Sequence, residues 1–377
     1  MRDRRDLLAA FAALRARGGH AALATVVRVV GSAYRRPGAR MLLGADGTGV
    51  GLVSGGCLEA DLAERARPVL ESGRPTLVTY DASHDEDLVF GLGLGCEGTV
   101  EVLIERVPEH ADGGHLALMA RCLEARLRLA LVTVFRSEGA VAPGTRLWLV
   151  DGEPEAGAKV DETLATVLGR EASAALSSGR HRTMSFLDGA GRAVEALVEP
   201  ILPWSEIYVF GAGPDAVPVV RLAVELGFDV TVADHRASFV RPERFPGAAA
   251  VVLCNPSLLA ETLDPGPDAA ALVMSHSFVH DRAYLGQLLR RPLRYLGALG
   301  PRRRTERLLG ELAAEGLVAD PVARAALHAP VGLDIGAETP EEIAISILAE
   351  VRAAFVGRAG GSLRDRNAPI HGENGPS

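Results

Sequence analysis

Two glycine-rich segments each place a cysteine where a strand meets a turn. They are Ser54-Gly55-Gly56-Cys57-Leu58-Glu59 and Gly91-Leu92-Gly93-Leu94-Gly95-Cys96-Glu97-Gly98. Cys57 falls where a strand passes into a helix, so the dipole and unpaired N–H groups of the helix start favour thiolate over thiol. The clustered glycines leave backbone amides bare enough to line a concavity for an anion. Two thiolates on such backbone suit a soft ligand, sulfur or a metal–dithiolene group. The plainer alternative is that each cysteine is a small hydrophobe beside a packed turn. Arg35, Arg36 and Arg40 surround Pro37-Gly38, and arginine forks in a loop suit phosphate or carboxylate.

A second grouping lies farther along. The apolar run Ile207–Phe210 leads into Gly211-Ala212-Gly213-Pro214-Asp215-Ala216, a G-x-G-x-x-A pattern. A helical stripe of Val219, Leu222, Ala223 and Leu226 follows, with Gly227 placed as its C-terminal cap. In a dinucleotide fold Gly211 permits the tight turn, Gly213 lets backbone approach a pyrophosphate, and Ala216 allows close helix–strand contact. Asp234 ends the next strand, at the distance where an acid accepts from a ribose hydroxyl. Two residues disturb the pattern. Pro214 removes an N–H from the turn, and Asp215 places negative charge where the pyrophosphate would sit. The sequence therefore predicts a Rossmann scaffold and leaves its use for a dinucleotide open.

The remaining chemistry-bearing residues give weaker patterns. Cys122 lies within a helical stripe and Cys254 follows a strand end, and both read as core. No C-x-x-C or Cys/His quartet suggests a structural zinc site. His276 and His280 are four apart but straddle a strand end, and Arg302, Arg303 and Arg304 follow Gly300-Pro301 in an expected loop.

The elements that must position these residues fall into three regions. Strands are expected at Ala22–Val30, Ala39–Leu43, Gly49–Val53, Thr76–Tyr80 and Thr99–Glu105, with a helix on the Leu58, Leu62, Ala66, Leu70 stripe. A second α+β stretch contains the stripes Leu116–Leu123 and Val160–Leu168 and a hairpin at Asp188-Gly189. From Ile207 onward short apolar strands alternate with helices, which implies a parallel sheet covered on both faces. The expected organisation is an N-terminal α+β module (1–108), an α+β middle region (109–203), a Rossmann-like parallel-sheet domain (204–357) and a flexible tail (358–377), an α/β protein as a whole.

Composition narrows the function classes. The 377 residues carry a net charge of −8, opposite to the basic face of a nucleic-acid binder. A hydrophobic fraction of 48% excludes a disordered chain. The longest apolar stretches, such as Leu129–Phe135, fall short of the roughly 18 residues a membrane span needs. Four cysteines in this length make no disulfide framework, so reduced thiols in the cytoplasm are expected.

At Gly31–Met41 (GSAYRRPGARM), Ser54–Glu59 (SGGCLE) and Gly93–Glu101 (GLGCEGTVE) the sequence resembles the XdhC/CoxI family of xanthine dehydrogenase accessory factors. The resemblance continues through Phe210–Ala216 (FGAGPDA), Asp234-His235-Arg236, Val273–His276 (VMSH), Leu296–Arg304 (LGALGPRRR) and Pro330–Leu348 (PVGLDIGAETPEEIAISIL). It implies a protein that binds molybdenum cofactor (molybdopterin), supports its sulfuration with a cysteine desulfurase and inserts it into a xanthine dehydrogenase-type molybdenum hydroxylase, and the first expectation is a chaperone with no turnover of its own. The implied cofactor-binding residues are Cys57, Cys96, Ser54, Gly55, Gly56, Gly95, Arg35 and Arg36. Gly211, Gly213, Ala216 and Asp234 would serve any ligand of the Rossmann domain. The competing expectation is an NAD(P)-dependent oxidoreductase, although no Tyr-x-x-x-Lys pair is recognisable. A homodimer remains open.

Overall fold

The computed structural model describes residues 2–81, 98–107, 114–155 and 160–367. It divides into two compact units, one of Asp3–Pro203 and one of Trp204–Ser377 with the first two residues.

The Asp3–Pro203 unit holds two antiparallel sheets. Helix α1 (Arg2–Ala16) buries Leu7 and Phe11. Strands β1 (Ala21–Gly31), β2 (Arg40–Gly44) and β3 (Gly49–Gly51) then lead into α2 (Glu59–Ser72), followed by β4 (Thr76–Asp81) and β5 (Gly98–Arg106). Their order in the sheet is β3-β2-β1-β5-β4. The apolar stripe of α2, Leu62, Ala66 and Val69, packs on Ala22, Ala24, Val26, Val102 and Ile104, which is the inward face of alternating strands.

The second sheet follows α3 (Gly114–Glu124) and comprises β6 (Leu129–Ser137), β7 (Arg146–Val150), β8 (Glu153–Pro154), β9 (Arg182–Leu187) and β10 (Ala193–Ile201), with α4 (Glu162–Ser178) between β8 and β9. The order is β8-β7-β6-β10-β9. Asp161 caps α4 by accepting from the Leu164 amide. The Leu129–Phe135 run, too short for a membrane span, is most of β6. Val27 and Leu103 of the first sheet and Phe135 and Leu197 of the second form one buried cluster that joins the two.

The C-terminal unit is a Rossmann-like α/β fold. Its elements are β11 (Glu206–Phe210), α5 (Ala216–Glu225), β12 (Asp229–Asp234), β13 (Ala250–Leu253), α6 (Leu259–Thr262), β14 (Ala270–Val273), α7 (Phe278–Leu288), β15 (Tyr295–Ala298), α8 (Arg302–Ala314), α9 (Pro321–Ala325), β16 (Leu327–His328) and α10 (Pro340–Phe355). The six strands are parallel in the order β13-β12-β11-β14-β15-β16. The helices α5 and α10 cover one face and α7 and α8 the other. The short edge strand β16 gives no sequence signal of its own. Arg302, Arg303 and Arg304 form the first turn of α8 rather than a loop.

The strand order reverses between β11 and β14, which marks the switch point where ligands of such sheets bind. Among the described residues, no helix is long and apolar enough to cross a membrane.

Candidate functional site

Cys57 is exposed, on a turn that leaves β3 and enters α2. Two side chains hold this turn from beneath. The Ser54 hydroxyl accepts from the amides of Gly56 and Leu58, each at 3.1 Å. The Glu59 carboxylate accepts from the amides of Val53 (3.2 Å), Ser54 (2.9 Å) and Leu58 (3.1 Å) and from the Ser54 hydroxyl at 2.5 Å. Burial alone would raise the Glu59 pKa, but the hydrogen bonds from Ser54 and the backbone outweigh it and hold the carboxyl below the usual range.

This narrows the expectation of bare amides around the cysteine to those of Gly55 and Cys57. Four of the turn's N–H groups are already satisfied by Ser54 and Glu59, so the helix start is neutralised by a carboxylate of its own first turn. Among the described residues, only the amides of Gly55 and Cys57 in this turn have no acceptor. The Cys57 thiol donates to the Ser54 Oγ at 3.6 Å, so its sulfur stands over the polar knot and faces outward.

Tyr34 borders the turn. A Cβ added at Gly55 would lie 3.7 Å from the Tyr34 ring, and Tyr34 is itself 67% exposed. The Arg35 guanidinium sits 5.7 Å from the centre of that ring and pairs with Asp3 at 2.7 Å. Burial lowers the His181 pKa, with Glu199 opposing and Arg36 adding to the effect. Gly95 and Cys96 lie outside the described residues. The strands flanking the two cysteine segments, β3 and β5, are not neighbours: β2 and β1 stand between them. Cys122 and Cys254 are fully buried, and burial pushes both thiols up.

At the switch point of the Rossmann sheet, Gly211 makes the tight turn with φ +126°, and Ala216 opens α5. Asp234 is consumed internally. It accepts from the Ala212 amide at 2.7 Å and takes three hydrogen bonds from Arg236. Burial opposes ionisation, but Arg236 and the two amides outweigh it and bring the carboxyl to about 2. Asp215 pairs with His276 Nε2 at 2.6 Å, and His276 holds a left-handed φ of +59°. His280 packs instead on His235, ring centres 3.7 Å apart, so His276 and His280 have separate partners. Arg304 pairs with Asp281 at 2.7 Å.

Asp234 has a testable pH signature. Its pKa is depressed from about 3.9 in an unfolded chain, so the stability it lends is present above about pH 4 and is lost as pH falls toward 2. Chemical denaturation of Asp234→Asn beside the parent should show a deficit of about 2 kcal/mol at pH 7. That deficit should shrink as pH approaches 2, and one independent of pH would contradict the assignment.

Sequence reasoning missed three groups: Glu59 as the brace of the cysteine turn, Arg236 as the partner of Asp234, and His276 as the partner of Asp215. Glu59 had a visible signal, since an acid in the first turn of a helix is placed to reach back to the amides before it. Arg236 lies two residues after Asp234, so its pairing is also local, whereas the Asp215–His276 pair, 61 residues apart, depends on which loops meet at the strand ends.

Comparison with known proteins gives five findings. A family model described as the XdhC Rossmann domain matches residues 207–351, and one described as the XdhC and CoxI family matches residues 14–81. The chain is 33% identical over 333 residues to a probable xanthine dehydrogenase subunit of Bacillus subtilis (strain 168), covering 88% of this chain and 92% of the relative. It is 25% identical over 335 residues to the molybdenum cofactor insertion chaperone PaoD of Escherichia coli (strain K12), covering 89% and 83% respectively. A crystal structure described as a xanthine dehydrogenase from Bacillus halodurans superposes with a TM-score of 0.77 at 32% identity, covering 94% of this chain and 98% of that one.

Proposed function

The chain belongs to the XdhC and CoxI family, and on that premise we propose that it binds molybdenum cofactor and delivers it to a xanthine dehydrogenase-type molybdenum hydroxylase. The observation that carries this reading is the exposed Cys57 thiol on a turn braced by Ser54 and Glu59. A thiol in such a place suits a soft, sulfur-bearing ligand. The free amides of Gly55 and Cys57 and the guanidinium groups of Arg35 and Arg36 suit the anionic end of a phosphorylated pterin. When bound, the cofactor supplies a molybdenum centre on a dithiolene. The protein's residues hold and shield it. The name of PaoD supports the same class of task, and that of the Bacillus subtilis relative supports xanthine dehydrogenase as the enzyme concerned.

In this proposal residues 1–108 hold the cargo, and a cysteine desulfurase acts on it while it is held. The domain of residues 204–357 serves docking or regulation. Asp234 and Asp215 weigh against the dinucleotide alternative, because one is occupied by Arg236 and the other sets a carboxylate beside Gly213.

The test is anaerobic isolation of the full chain from its host, with metal and pterin-fluorescence analysis. Cys57→Ala should lose the co-purified cofactor while keeping the parent's Tm, and Cys122→Ser should keep its cofactor. Unchanged cofactor content in Cys57→Ala would remove Cys57 from the site. Titration calorimetry with NAD(H) and NADP(H) should show no tight binding.

A further inference from the structure

The two sheets of the Asp3–Pro203 unit repeat one another. Each is built as helix, three strands, helix, two strands, and the spatial orders β3-β2-β1-β5-β4 and β8-β7-β6-β10-β9 are the same order shifted by five strands. The registers agree residue by residue. Thr25 lies opposite Arg40 in the first sheet and Thr133 opposite Arg146 in the second. Leu23 faces Glu105, and Leu131 faces Glu199. A bulge falls at Val27 between Val26 and Arg28, and its counterpart falls at Phe135 between Val134 and Arg136. Both bulged residues enter the cluster that joins the sheets.

The contacts between the sheets are reciprocal. Arg40 of the first pairs with Glu199 of the second, and Arg146 of the second with Glu105 of the first. Arg28 reaches Glu195 at 2.7 Å, and Arg136 reaches Glu101 at 2.5 Å. Contacts of this kind, residue i on j matched by j on i, are the mark of a two-fold interface.

The loops differ where the chemistry lies. Pro37-Gly38-Ala39-Arg40 and Pro143-Gly144-Thr145-Arg146 close equivalent loops, with Gly38 and Gly144 at φ +91° and +88°. Before the proline the first loop carries Tyr34-Arg35-Arg36 and the second Ala140-Val141-Ala142. The first repeat enters α2 through the cysteine turn, whereas the second enters α4 through the Asp161 cap.

We propose that residues 114–201 are a degenerate second copy of the first module, standing where a second protomer would stand, and that its Glu199 is a positioning residue for the Cys57 site. Glu199 accepts from both terminal nitrogens of Arg40, at 3.0 and 2.5 Å. Arg40 in turn donates to the Gly38 carbonyl at 2.8 Å. A Cβ at Gly38 would run into the Glu199 carboxylate, so carboxylate and loop base are fitted to each other. That base is pinned further by Gly38 donating to Val26 O and Ala39 to Arg36 O. The same loop carries Tyr34, which lies over Gly55 of the cysteine turn.

The symmetry supplies the control. Glu105 is the counterpart of Glu199, but its loop carries no ligand-type residues. In the full-length protein Glu199→Gln and Glu105→Gln should lower Tm to a similar extent. Alkylation of Cys57 by iodoacetamide, followed by peptide mapping, should change by about fivefold in Glu199→Gln and stay at the parent rate in Glu105→Gln. Should a glutamine variant not fold, Glu199→Asp and Glu105→Asp replace the pair. Equal changes in both variants, or no change in Glu199→Gln, would overturn the positioning role. The inference rests on the Cys57 turn being the site, but the alkylation readout needs no cofactor. Protein that never holds molybdenum cofactor yet shows the asymmetric rates would overturn the proposed function and leave this role standing.

Discussion

Arg40→Ala is expected to destabilise the Asp3–Pro203 unit by about 3–5 kcal/mol, read as a lower denaturant midpoint with an unchanged slope. The pair it breaks is buried on both sides, with 6% of the Arg40 and 4% of the Glu199 side chain exposed. Removing the cation leaves the buried Glu199 carboxylate without its bidentate partner and deprives the Gly38 carbonyl of its donor. One cation within electrostatic reach of Glu199 is Arg4, whose pKa burial and Arg40 lower to about 10 while Glu199 raises it. If Arg4 swung in to pair with Glu199, the loss would fall below about 1 kcal/mol, the scale of an exposed pair, and the interface would not depend on this bidentate contact. The double change Arg40→Met with Glu199→Leu removes both charges and should recover most of the deficit, because an apolar replacement of a buried ion pair is often neutral or stabilising. Recovery of stability without recovery of the parent Cys57 alkylation rate would separate the fold's need for this pair from the site's.

How much of this was legible in the sequence depended on the range over which each feature is encoded. The Rossmann domain is a local pattern repeated: strand, glycine turn, helix with one apolar stripe, strand. Ile207–Phe210, Gly211–Ala216 and the stripe ending at Leu226 therefore placed β11 and α5 within a residue or two of their ends. The cysteine turn was legible as residue types, but its hydrogen bonds were not. Its glycines suggested open amides, whereas Ser54 and Glu59 close four of the turn's N–H groups, that of Gly56 among them. The internal repeat left traces in plain view, Thr25-Val26-Val27-Arg28 against Thr133-Val134-Phe135-Arg136 and the two Pro-Gly-x-Arg loops. Those traces are short, and what makes them a repeat is strand order and register, which only pairing over long separations reveals. Asp215 with His276, 61 residues apart, was hidden for a related reason, whereas Arg236 stands only two residues from Asp234. A fingerprint states which backbone positions a ligand would need, and side chains from neighbouring loops decide whether those positions are free.

Gly211→Ala should be the most damaging single change in the Rossmann unit, costing about 3 kcal/mol or more. At φ +126° any side chain is strained, and an added Cβ would lie 2.6 Å from the Met274 carbonyl carbon and 2.8 Å from the Ser275 Cα. Those atoms are backbone at the end of β14, the strand on the far side of the switch point, so relief would mean parting β11 from β14. Gly213→Ala should cost about 1 kcal/mol or less, because its φ lies outside the left-handed region and the one close contact of its Cβ would be the Asp215 Oδ1 at 2.6 Å, the end of a side chain, with His276 Cδ2 at an ordinary 3.9 Å. In a dinucleotide binder the second glycine serves the pyrophosphate, yet here a carboxylate paired with His276 stands beside it. Thermal denaturation of the two variants measures the contrast, and calorimetry on Asp215→Ser adds the cause. Gain of NAD affinity in that variant would mean that one charge keeps a competent site shut. No gain would mean that the fold has kept the turn for β11–β14 packing alone, and equal losses from the two alanine variants would show the whole loop to be rigid.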